Sequence, residues 1–374
     1  MLRFLTSGES HGKCLIAILE GMVAGLTVDE EDINRDLARR QEGYGRGGRM
    51  TIEKDEAEIL SGVRNKISIG APIALRVPNK DFKINELPAV KKPRPGHADL
   101  VGAMKYGRED VRDVLERASA RETTSRVAVG AICKSFLKEL DVDITSHVTC
   151  IGGVYADTSH MTFDEIKKNS LGSPMHCADP ETTKKMMARV DEARESKDTI
   201  GGIFEVVARG VPVGLGSFVH YDRRLSAKLA ASLFSIQAVK GVEIGMGFKV
   251  VETPGRKVHD EIFYDEKKNF YRKTNNAGGF EGGVTNGENL VLRAATKPYS
   301  TLMSPLQSVH IQTKQKESAT VERSDVTAVP ACGVVGEAMV AFELAAAFLE
   351  KFGGDSLKET RRNFDGYLKQ LKEF

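Results

Sequence analysis

The sequence predicts one large domain in which helices and strands are mixed. Segments with helical spacing of apolar residues alternate with short strand-like runs, which indicates both kinds of element throughout. No Gly/Ser linker or abrupt change of composition divides the 374 residues. The chain has 41% hydrophobic and 28% charged residues, which is typical of a folded globular protein rather than a disordered one.

Five segments combine helical spacing of apolar residues with helix end signals. They are residues 28–40, residues 117–140, residues 222–240, the segment after Pro330 that stops at Gly353-Gly354, and residues 355–372. Asp29 is the predicted N-cap of the first, and Ser119 and Ser356 begin possible capping boxes in the second and the last. Gly241 is the predicted stop signal of the third.

Strand-like runs lie between these helices. They are residues 49–53, 73–77, 203–207, 250–251 and 290–292. Residues 79–96 contain prolines and lysines and are predicted to form a long loop. Loops of this length in compact domains are often functional.

The charge balance and the cysteines exclude several classes of function. Lys and Arg number 54 against 52 Asp and Glu, so no global positive charge favours nucleic acid or an anionic membrane. The five cysteines contain no C-x-x-C pair, which argues against a disulfide framework and a zinc site and favours a reducing cytosol. We expect no metal and no secretory signal, and the apolar stretches at residues 14–26 and 338–348 are too short to span a bilayer.

Two familiar motifs occur in contexts that do not suit them. Residues 8–12 fit G-x-S-x-G, the nucleophile elbow of serine hydrolases, but an elbow follows several strands and only seven residues precede Gly8. A serine hydrolase that uses Ser10 stays an alternative. Residues 43–48 fit G-x-G-x-x-G, yet a predicted helix precedes the glycines and a strand follows, which reverses the order of a dinucleotide-binding turn.

Arginines collect near glycines and histidines in three places. These are Arg39, Arg40, Arg46 and Arg49 in one loop, Arg94 beside His97, and Arg117 and Arg121 around a predicted helix start. Cations at a helix start interact unfavourably with the helix dipole, but a phosphate or carboxylate bound there would offset this cost. We therefore expect a multiply anionic small substrate. For Arg39 and Arg40, favourable electrostatics at a helix C-terminus is an equally good interpretation.

His11 and His97 both lie in glycine-containing turns, where a side chain is readily presented to a pocket. Beside arginines they could act as general acids that protonate a departing phosphate or adjust the charge of a cofactor ring. A surface or capping role for each histidine stays open.

Five motifs occur in order over nearly the whole chain. They are GESHG at residues 8–12, RPGHAD at 94–99, RASARET at 117–123, QAVKGVE at 237–243, and RSD followed by AVP at 323–330. Together they resemble the chorismate synthase family. The resemblance implies a 1,4-anti elimination of phosphate from 5-enolpyruvylshikimate 3-phosphate, which gives chorismate in the last common step of the shikimate pathway. Reduced FMN is required although there is no net redox change.

The resemblance also implies roles for individual residues. His11 would act near the leaving phosphate and His97 near the flavin, while Asp325 and Ser10 would form a relay that adjusts the protonation of reduced flavin at N5. The implied FMN-binding residues are Arg117, Ala118, Ser119, Gln237, Ala238, Gly282, Lys297, Pro298, Tyr299, Ser300, Thr301 and Arg323. Gln237 and Ser324 stand where the family often has asparagine and histidine, which could alter flavin affinity.

The substrate would be bound at an anion-binding edge. The resemblance places Arg40 and Arg46 there, in contact with substrate or with a reduced nicotinamide (NADP), and the arginine pattern adds Arg49 and Arg121.

The implied fold is α+β, a β-α-β sandwich formed by a single domain of residues 1–374 that assembles as a homotetramer in the cytoplasm. The added sequence of fungal relatives, which reduce their own flavin, is not evident here. We therefore expect a separate flavin reductase or the cell's reducing pool to supply reduced FMN, with NADPH acting only indirectly. A non-catalytic flavin-binding module stays a second alternative, because a fold can outlast its chemistry.

Overall fold

The structure, a computed structural model, describes residues 1–47, 53–267, 269–322 and 325–374. Some predictions lie wholly or partly outside these ranges. They concern Arg49, Arg323, Ser324, the strand at residues 49–53 and the end of the G-x-G-x-x-G motif at residues 43–48.

Helices and strands are interspersed along the described residues. The helices are α1 Glu30–Gln41, α2 Asp99–Tyr106, α3 Arg112–Ala118, α4 Thr123–Lys138, α5 Phe163–Leu171, α6 Pro180–Glu195, α7 Leu225–Phe234, α8 Gly255–Val258, α9 Val329–Phe352 and α10 Leu357–Glu373. The strands are β1 Arg3–Ser7, β2 Cys14–Glu20, β3 Glu58–Ile59, β4 Val63–Arg64, β5 Ile67–Ser68, β6 Ile73–Pro78, β7 Asp143–Ile151, β8 Val154–Tyr155, β9 Gly202–Arg209, β10 Val239–Ile244, β11 Ile262–Asp265, β12 Asn269–Arg272, β13 Phe280–Glu281, β14 Val284–Thr285, β15 Leu290–Thr296, β16 Gln307–Val309 and β17 Lys316–Ser318. Short 3₁₀ turns cover Ala120–Glu122, Tyr221–Arg223 and Gly247–Glu252.

Two antiparallel sheets of four and five strands dominate the described part of the chain. Their strand orders are β1-β2-β6-β3 and β10-β15-β9-β7-β8. In β15, Leu290, Leu292, Ala294 and Thr296 are buried and the residues between them are partly exposed. Because successive side chains of a strand point to opposite faces, this alternation directs one face of the sheet to the core.

The longest helices lie in contact with both sheets. Helix α4 contacts β1, β2 and β6 of the first sheet, and α9 contacts β7 and β9 of the second. The two helices pack on each other, and α1 contacts both of them. One large apolar cluster draws residues from both sheets and from these helices. The mixed helix and strand content confirms the predicted α+β class.

Helix α9 is long and apolar enough to cross a membrane by length and composition. Of its 18-residue apolar window, 78% is buried within the protein, and core helices pass the same test. The prediction at residues 338–348 underestimated this apolar segment, because the helix already begins at Val329.

Gly130 allows α4 and α9 to approach closely. A Cβ atom at this position would lie 2.3 Å from the Cβ atom and 2.4 Å from the Cα atom of Ala338 in α9. Since these contacts involve the backbone of the facing helix, no flexible side chain can move aside to make room.

We therefore expect Gly130→Ala to lower the free energy of unfolding by about 1–3 kcal/mol through overpacking. The matched control is Gly366→Ala in α10, where an added Cβ meets no atom within 4 Å. That change should leave stability unchanged or raise it by up to about 1 kcal/mol, because alanine favours helix over glycine. Urea unfolding of both variants checks the prediction, and equal stability of the two would contradict it.

Three predicted helices are confirmed. They are the segments at residues 28–40, after Pro330 and at residues 355–372, which form α1, α9 and α10. Asp29 is the N-cap of α1, and the Ser356 side chain accepts a hydrogen bond from the Glu359 backbone N–H. The Glu359 carboxylate accepts from the backbone N–H of Asp355 instead of Ser356, so the expected reciprocal box is shifted by one residue.

The predicted helix at residues 117–140 is interrupted. Ser119 has an extended backbone (φ −62°, ψ 141°), and it separates α3 from a 3₁₀ turn and α4. Its hydroxyl accepts from the backbone N–H of Arg121, while the Glu122 carboxylate pairs with Arg126. The expected capping box is therefore wrong, and Arg117 lies at the end of a helix rather than at a start.

Two further predictions are wrong in their boundaries or type. Helix α7 ends at Phe234, and Gly241 lies inside β10 because Ala238, with a positive φ of 72°, turns the chain into that strand. Residues 250–251 lie in the 3₁₀ turn Gly247–Glu252 and form no strand. This turn begins at Gly247, which has a φ of 60°.

A second, small apolar cluster lies apart from the main one. Val90, Ala103 and Val111 are its buried residues, and Val114 and Ile311 pack against it. It lies between α2, α3 and the hairpin β16–β17. In the turn of this hairpin, the Ile311 N–H donates to the Lys91 carbonyl in the long loop at residues 79–96. This satellite cluster supports the loops that carry Arg94 and His97.

Candidate active site

Ser10 and His11 lie in the turn that joins β1 to β2, and this turn is docked on α3. The Ser10 N–H donates to the Glu116 carbonyl at 3.0 Å, and the His11 N–H donates to Glu116 Oε2 at 2.9 Å. The His11 ring Nδ1 lies 3.0 and 2.9 Å from the two carboxylate oxygens. Burial opposes ionisation of Glu116, but its hydrogen bonds with His11 outweigh burial and lower the pKa of the carboxyl.

The surroundings of Ser10 do not form a nucleophile elbow. Ser10 is 3% exposed, and the chain continues from it into strand β2. An elbow leads from a strand into a helix and exposes its serine at the top of a sheet. The geometry required by the serine hydrolase alternative is therefore not found at Ser10.

Asn79 joins this turn to a buried arginine cluster. Its Nδ2 donates to the carbonyls of Glu9 at 3.1 Å and Gly12 at 2.8 Å. Its Oδ1 accepts from Arg121 Nε at 3.0 Å and from Nη2 at 2.8 Å. One amide thus fixes the position of the histidine turn relative to Arg121.

Arg40 and Arg121 share a buried carboxylate. Arg121 Nη1 lies 2.6 Å from Asp55 Oδ1, and Arg40 Nη2 lies 3.4 Å from Oδ2. Burial lowers the pKa of Arg40 to about 10, against the attraction of Asp55 and with the help of Arg121 and Arg46. The buried Arg40 Nε has no hydrogen-bond partner among the described residues. Because an unpaired buried donor is costly, an anion bound here would stabilise the cluster.

Arg46 pairs with Asp325, which also fixes the backbone next to it. Arg46 Nη1 lies 2.9 Å from Asp325 Oδ2, and the Gly47 N–H donates to Oδ1 at 2.6 Å. Burial alone would lower the pKa of Arg46, but Asp325, followed by Tyr299, raises it. Burial, reinforced by Asp325, raises the pKa of the Tyr299 hydroxyl, so this phenol is a hydrogen-bond donor at neutral pH.

The helix that carries Arg40 is anchored by a buried ion network. The guanidinium of Arg39 lies 2.7 and 2.8 Å from the two carboxylate oxygens of Glu337, and Lys134 Nζ lies 2.8 Å from one of them. Burial alone would raise the pKa of Glu337, but Arg39 and Lys134 outweigh it and lower that pKa. Arg39 therefore bonds within the fold, whereas Arg40 belongs to the candidate site.

His97 lies in a second carboxylate–arginine arrangement. Its Nδ1 is 2.5 Å from Asp99 Oδ1, and Arg94 Nε is 2.8 Å from Asp99 Oδ2. Arg94 Nη1 also donates to Thr301 Oγ1 at 2.7 Å. Burial opposes ionisation of Asp99, but the hydrogen bonds from His97 and Arg94 lower its pKa. Asp99 is consequently ionised at neutral pH and accepts the proton of His97 Nδ1–H in a hydrogen bond.

Several residues expected to bind flavin lie near one another. The Lys297 N–H donates to the Ala238 carbonyl at 2.9 Å, and Lys297 Nζ donates to Ser300 Oγ at 2.8 Å. A Cβ at Gly96 would lie 3.3 Å from Ser300 Oγ, which places the His97 loop beside this segment. Gln237 Nε2 donates to Glu122 at 3.1 Å, within the turn that follows Ser119.

Arg117 and Gly282, which are also expected to bind flavin, lie next to other parts of the chain. Arg117 donates to the carbonyls of Gly8 at 2.9 Å and Thr6 at 3.0 Å, so it holds the histidine turn. Gly282 is in the turn between β13 and β14, where a Cβ would face Phe218. Gly282 therefore lies next to the loop that contains Phe218, and not next to the arginine cluster.

Sequence reasoning missed the carboxylates and the amide that organise this region. They are Glu53, Asp55, Asn79, Asp99 and Glu116, all of them buried. Asp99 and Glu116 gave a weak signal, because Asp99 is part of the RPGHAD motif and Glu116 directly precedes RASARET. Asp55 and Asn79 gave none, since their partner Arg121 is distant in sequence.

A family model for chorismate synthase matches residues 2–349. The chain is 55% identical to the chorismate synthase of Geobacter sulfurreducens and 52% identical to that of Bacillus cytotoxicus, in each case over the full length of both chains. The chain belongs to the chorismate synthase family. A crystal structure of a chorismate synthase superposes with a TM-score of 0.83 at 43% identity, and covers 100% of this chain and 99% of the other. The family resemblance is thereby confirmed, together with the enzyme class of a chorismate synthase, a carbon–oxygen lyase of the shikimate pathway.

Proposed function

We propose that this chain eliminates phosphate from 5-enolpyruvylshikimate 3-phosphate in the 1,4-anti sense, and that it needs reduced FMN to do so. One observation carries the proposal in a chain of this family: Asn79 joins the turn that contains His11 to Arg121, and Asp55 joins Arg121 to Arg40. A proton donor next to several guanidinium groups suits a substrate that loses an anion.

The arginine cluster would hold the acidic groups of the substrate. Guanidinium groups bind phosphate and carboxylate through paired hydrogen bonds, and the substrate carries one phosphate and two carboxylates. Arg40, Arg46 and Arg121 are the described candidates, and Arg49 stays a prediction outside the described residues. The same residues stay candidates for contact with NADP(H).

His11 would protonate the departing phosphate, and His97 would act beside the flavin. In the His97 loop, Arg94 contacts Thr301 and Gly96 lies beside Ser300. Both contacts support the second assignment. The turn that contains His11 is linked through Asn79 to Arg121, which supports the first assignment.

The residues expected to hold FMN have features that a bound ligand would satisfy. The buried Oε1 of Gln237 has no partner among the described residues, so a ligand N–H or O–H could donate to it. Burial, with Lys240 nearby, lowers the pKa of Lys297, and an anionic group there would favour its charged form. Ala118, Ser119, Pro298 and Tyr299 would complete the site with Ala238, Ser300 and Thr301. Arg117, Gly282 and Arg323 stay candidates without such support.

Reduced FMN, when bound, would supply an electron-rich ring that stabilises transient charge as the carbon–oxygen bond breaks. Asp325 and Ser10 would act as a proton relay at this site. The Asp325 carboxylate can accept a proton, but it also pairs with Arg46, so the relay has to be distinguished from a purely structural role.

The larger organisation is part of the same proposal. We infer one domain over residues 1–374, arranged as a β-α-β sandwich, and a cytoplasmic homotetramer that receives reduced flavin from a separate reductase or from the cell's reducing pool. The contacts of α4 with the first sheet and of α9 with the second support the sandwich.

The test is anaerobic incubation of the purified protein with 5-enolpyruvylshikimate 3-phosphate and photoreduced FMN, with chorismate and phosphate both measured. We expect equal amounts of the two products. Oxidised FMN should bind without supporting turnover, because it lacks the electron-rich ring. Absence of product with bound reduced FMN would refute the proposal and favour the non-catalytic flavin-binding alternative.

A further inference from the structure

A fully buried carboxylate lies behind each of the two proposed acid histidines. Glu116 accepts from Nδ1 of His11, and Asp99 accepts from Nδ1 of His97. The side chains of both carboxylates are 0% exposed. In both cases the carboxylate contacts Nδ1, but Arg94 Nη2 also lies 3.1 Å from Nδ1 and 3.5 Å from Nε2 of His97. The hydrogen bonds of the His11 ring within the described residues go to Glu116, so Nε2 of His11 is the atom left to face a ligand.

The two carboxylates differ in the number of hydrogen bonds that they accept from arginine. Asp99 accepts from the Arg94 backbone N–H at 3.0 Å as well as from Nε at 2.8 Å and Nη2 at 3.1 Å. Glu116 has a single arginine partner among the described residues, and this partner is farther away: Arg112 Nη1 lies 3.4 Å from Glu116 Oε1. The charge of Glu116 is therefore directed mainly at His11, through both the ring and the backbone N–H.

We propose that Glu116 is a positioning residue that holds His11 with its proton on Nδ1 and with Nε2 available as the acid. The assignment of the acid step rests on the proposed function. In that step the Nε2–H bond breaks and an O–H bond forms on the departing phosphate. The ring is left neutral with its proton on Nδ1, and Glu116 remains ionised throughout.

The surrounding contacts fit this role. The carbonyl of Glu116 accepts from Ser10 N–H, and the next residue, Arg117, donates to the carbonyl of Gly8. The end of α3 thus holds the backbone of the histidine turn in addition to contacting the His11 ring. An ionised carboxylate that accepts from Nδ1–H selects one tautomer and stabilises positive charge on the ring before the proton leaves.

The first experiment needs no activity. Ring ¹⁵N NMR of the full-length parent, labelled at histidine and assigned with His11→Gln, reports which nitrogen of His11 carries the proton. We expect a protonated, hydrogen-bonded Nδ1. A neutral His11 ring with its proton on Nε2 and a bare Nδ1 would overturn the proposal, whether or not the protein forms chorismate.

The second experiment compares Glu116→Gln with Glu322→Gln. Both carboxylates bond Arg112, but only Glu116 contacts His11. For Glu116→Gln we expect kcat to fall about 10- to 100-fold, while KM and FMN affinity stay within about twofold of the parent values. The pH profile of kcat and the His11 ring signals should also change, and Glu322→Gln should resemble the parent.

A folded Glu116→Gln protein with an unchanged kcat, pH profile and ring spectrum would overturn the proposal. If this variant does not fold, the NMR measurement on the parent decides. If the parent makes no chorismate, the proposed function fails, while the ring spectrum still tests the contact between Glu116 and His11.

Discussion

His11→Ala is expected to lower turnover by about 10²-fold or more, because it removes a general acid. FMN affinity should stay close to that of the parent, since the hydrogen bonds of His11 within the described residues go to Glu116, Lys83 and Ile84. His97→Ala should lower turnover to a similar extent but should also weaken FMN binding, because its loop lies beside Ser300 and Thr301. Anaerobic single-turnover assays and FMN titrations measure the two effects separately.

The matched control is His220→Ala, which removes an exposed histidine. It should have the turnover and FMN affinity of the parent. Thermal unfolding of each variant verifies the fold, because His11→Ala takes one donor away from the buried Glu116. The assignment of roles would be wrong if His11→Ala weakened FMN binding yet retained turnover at saturating FMN.

Asp325→Asn is expected to lower kcat about 10²-fold, because an amide keeps the shape of the side chain but cannot accept the relayed proton. Its Oδ1 can still accept from the Gly47 N–H, so the loop should remain ordered. Ser10→Ala should lower kcat through the same relay. We expect FMN binding and the proposed tetramer to be retained, as measured by titration and light scattering.

The structure offers a competing role for Asp325, namely the placement of Arg46. If this were its main role, Asp325→Asn would raise KM for the substrate and leave kcat and its pH profile unchanged. Asp191→Asn is the control, because Asp191 accepts from the Tyr44 hydroxyl in the same loop at 2.8 Å. That variant should behave like the parent, so a general loosening of the loop can be recognised.

The secondary structure was predictable where local signals agreed with packing. Asp29 begins α1 and Ser356 begins α10 as predicted, because side-chain caps act within a few residues of sequence. The prediction of one helix over residues 117–140 was wrong at Ser119. The sequence there matches a capping box, but the Glu122 carboxylate makes tertiary contacts instead of bonding to the Ser119 backbone. This carboxylate accepts from Thr6 and Gln237, which lie in other parts of the chain.

The candidate site was predictable only as far as its motifs reached. His11, His97 and the arginines stand out because glycines and like charges surround them in the sequence. Glu116 and Asp55 do not stand out, because a buried acid is identified by its distant partners. His11 and Glu116 are 105 residues apart, and only the docking of the β1–β2 turn on α3 brings them together.

The satellite cluster of Val90, Ala103 and Val111 has a consequence for the order in which the molecule opens. Segments that bury little apolar surface open locally at a lower free energy than the main core, and their amides exchange with solvent sooner. This cluster supports α2 and α3, the helices that contain Asp99 and Glu116. One local opening would therefore release both histidine rings together, while α4 and α9 stay packed and protected from exchange.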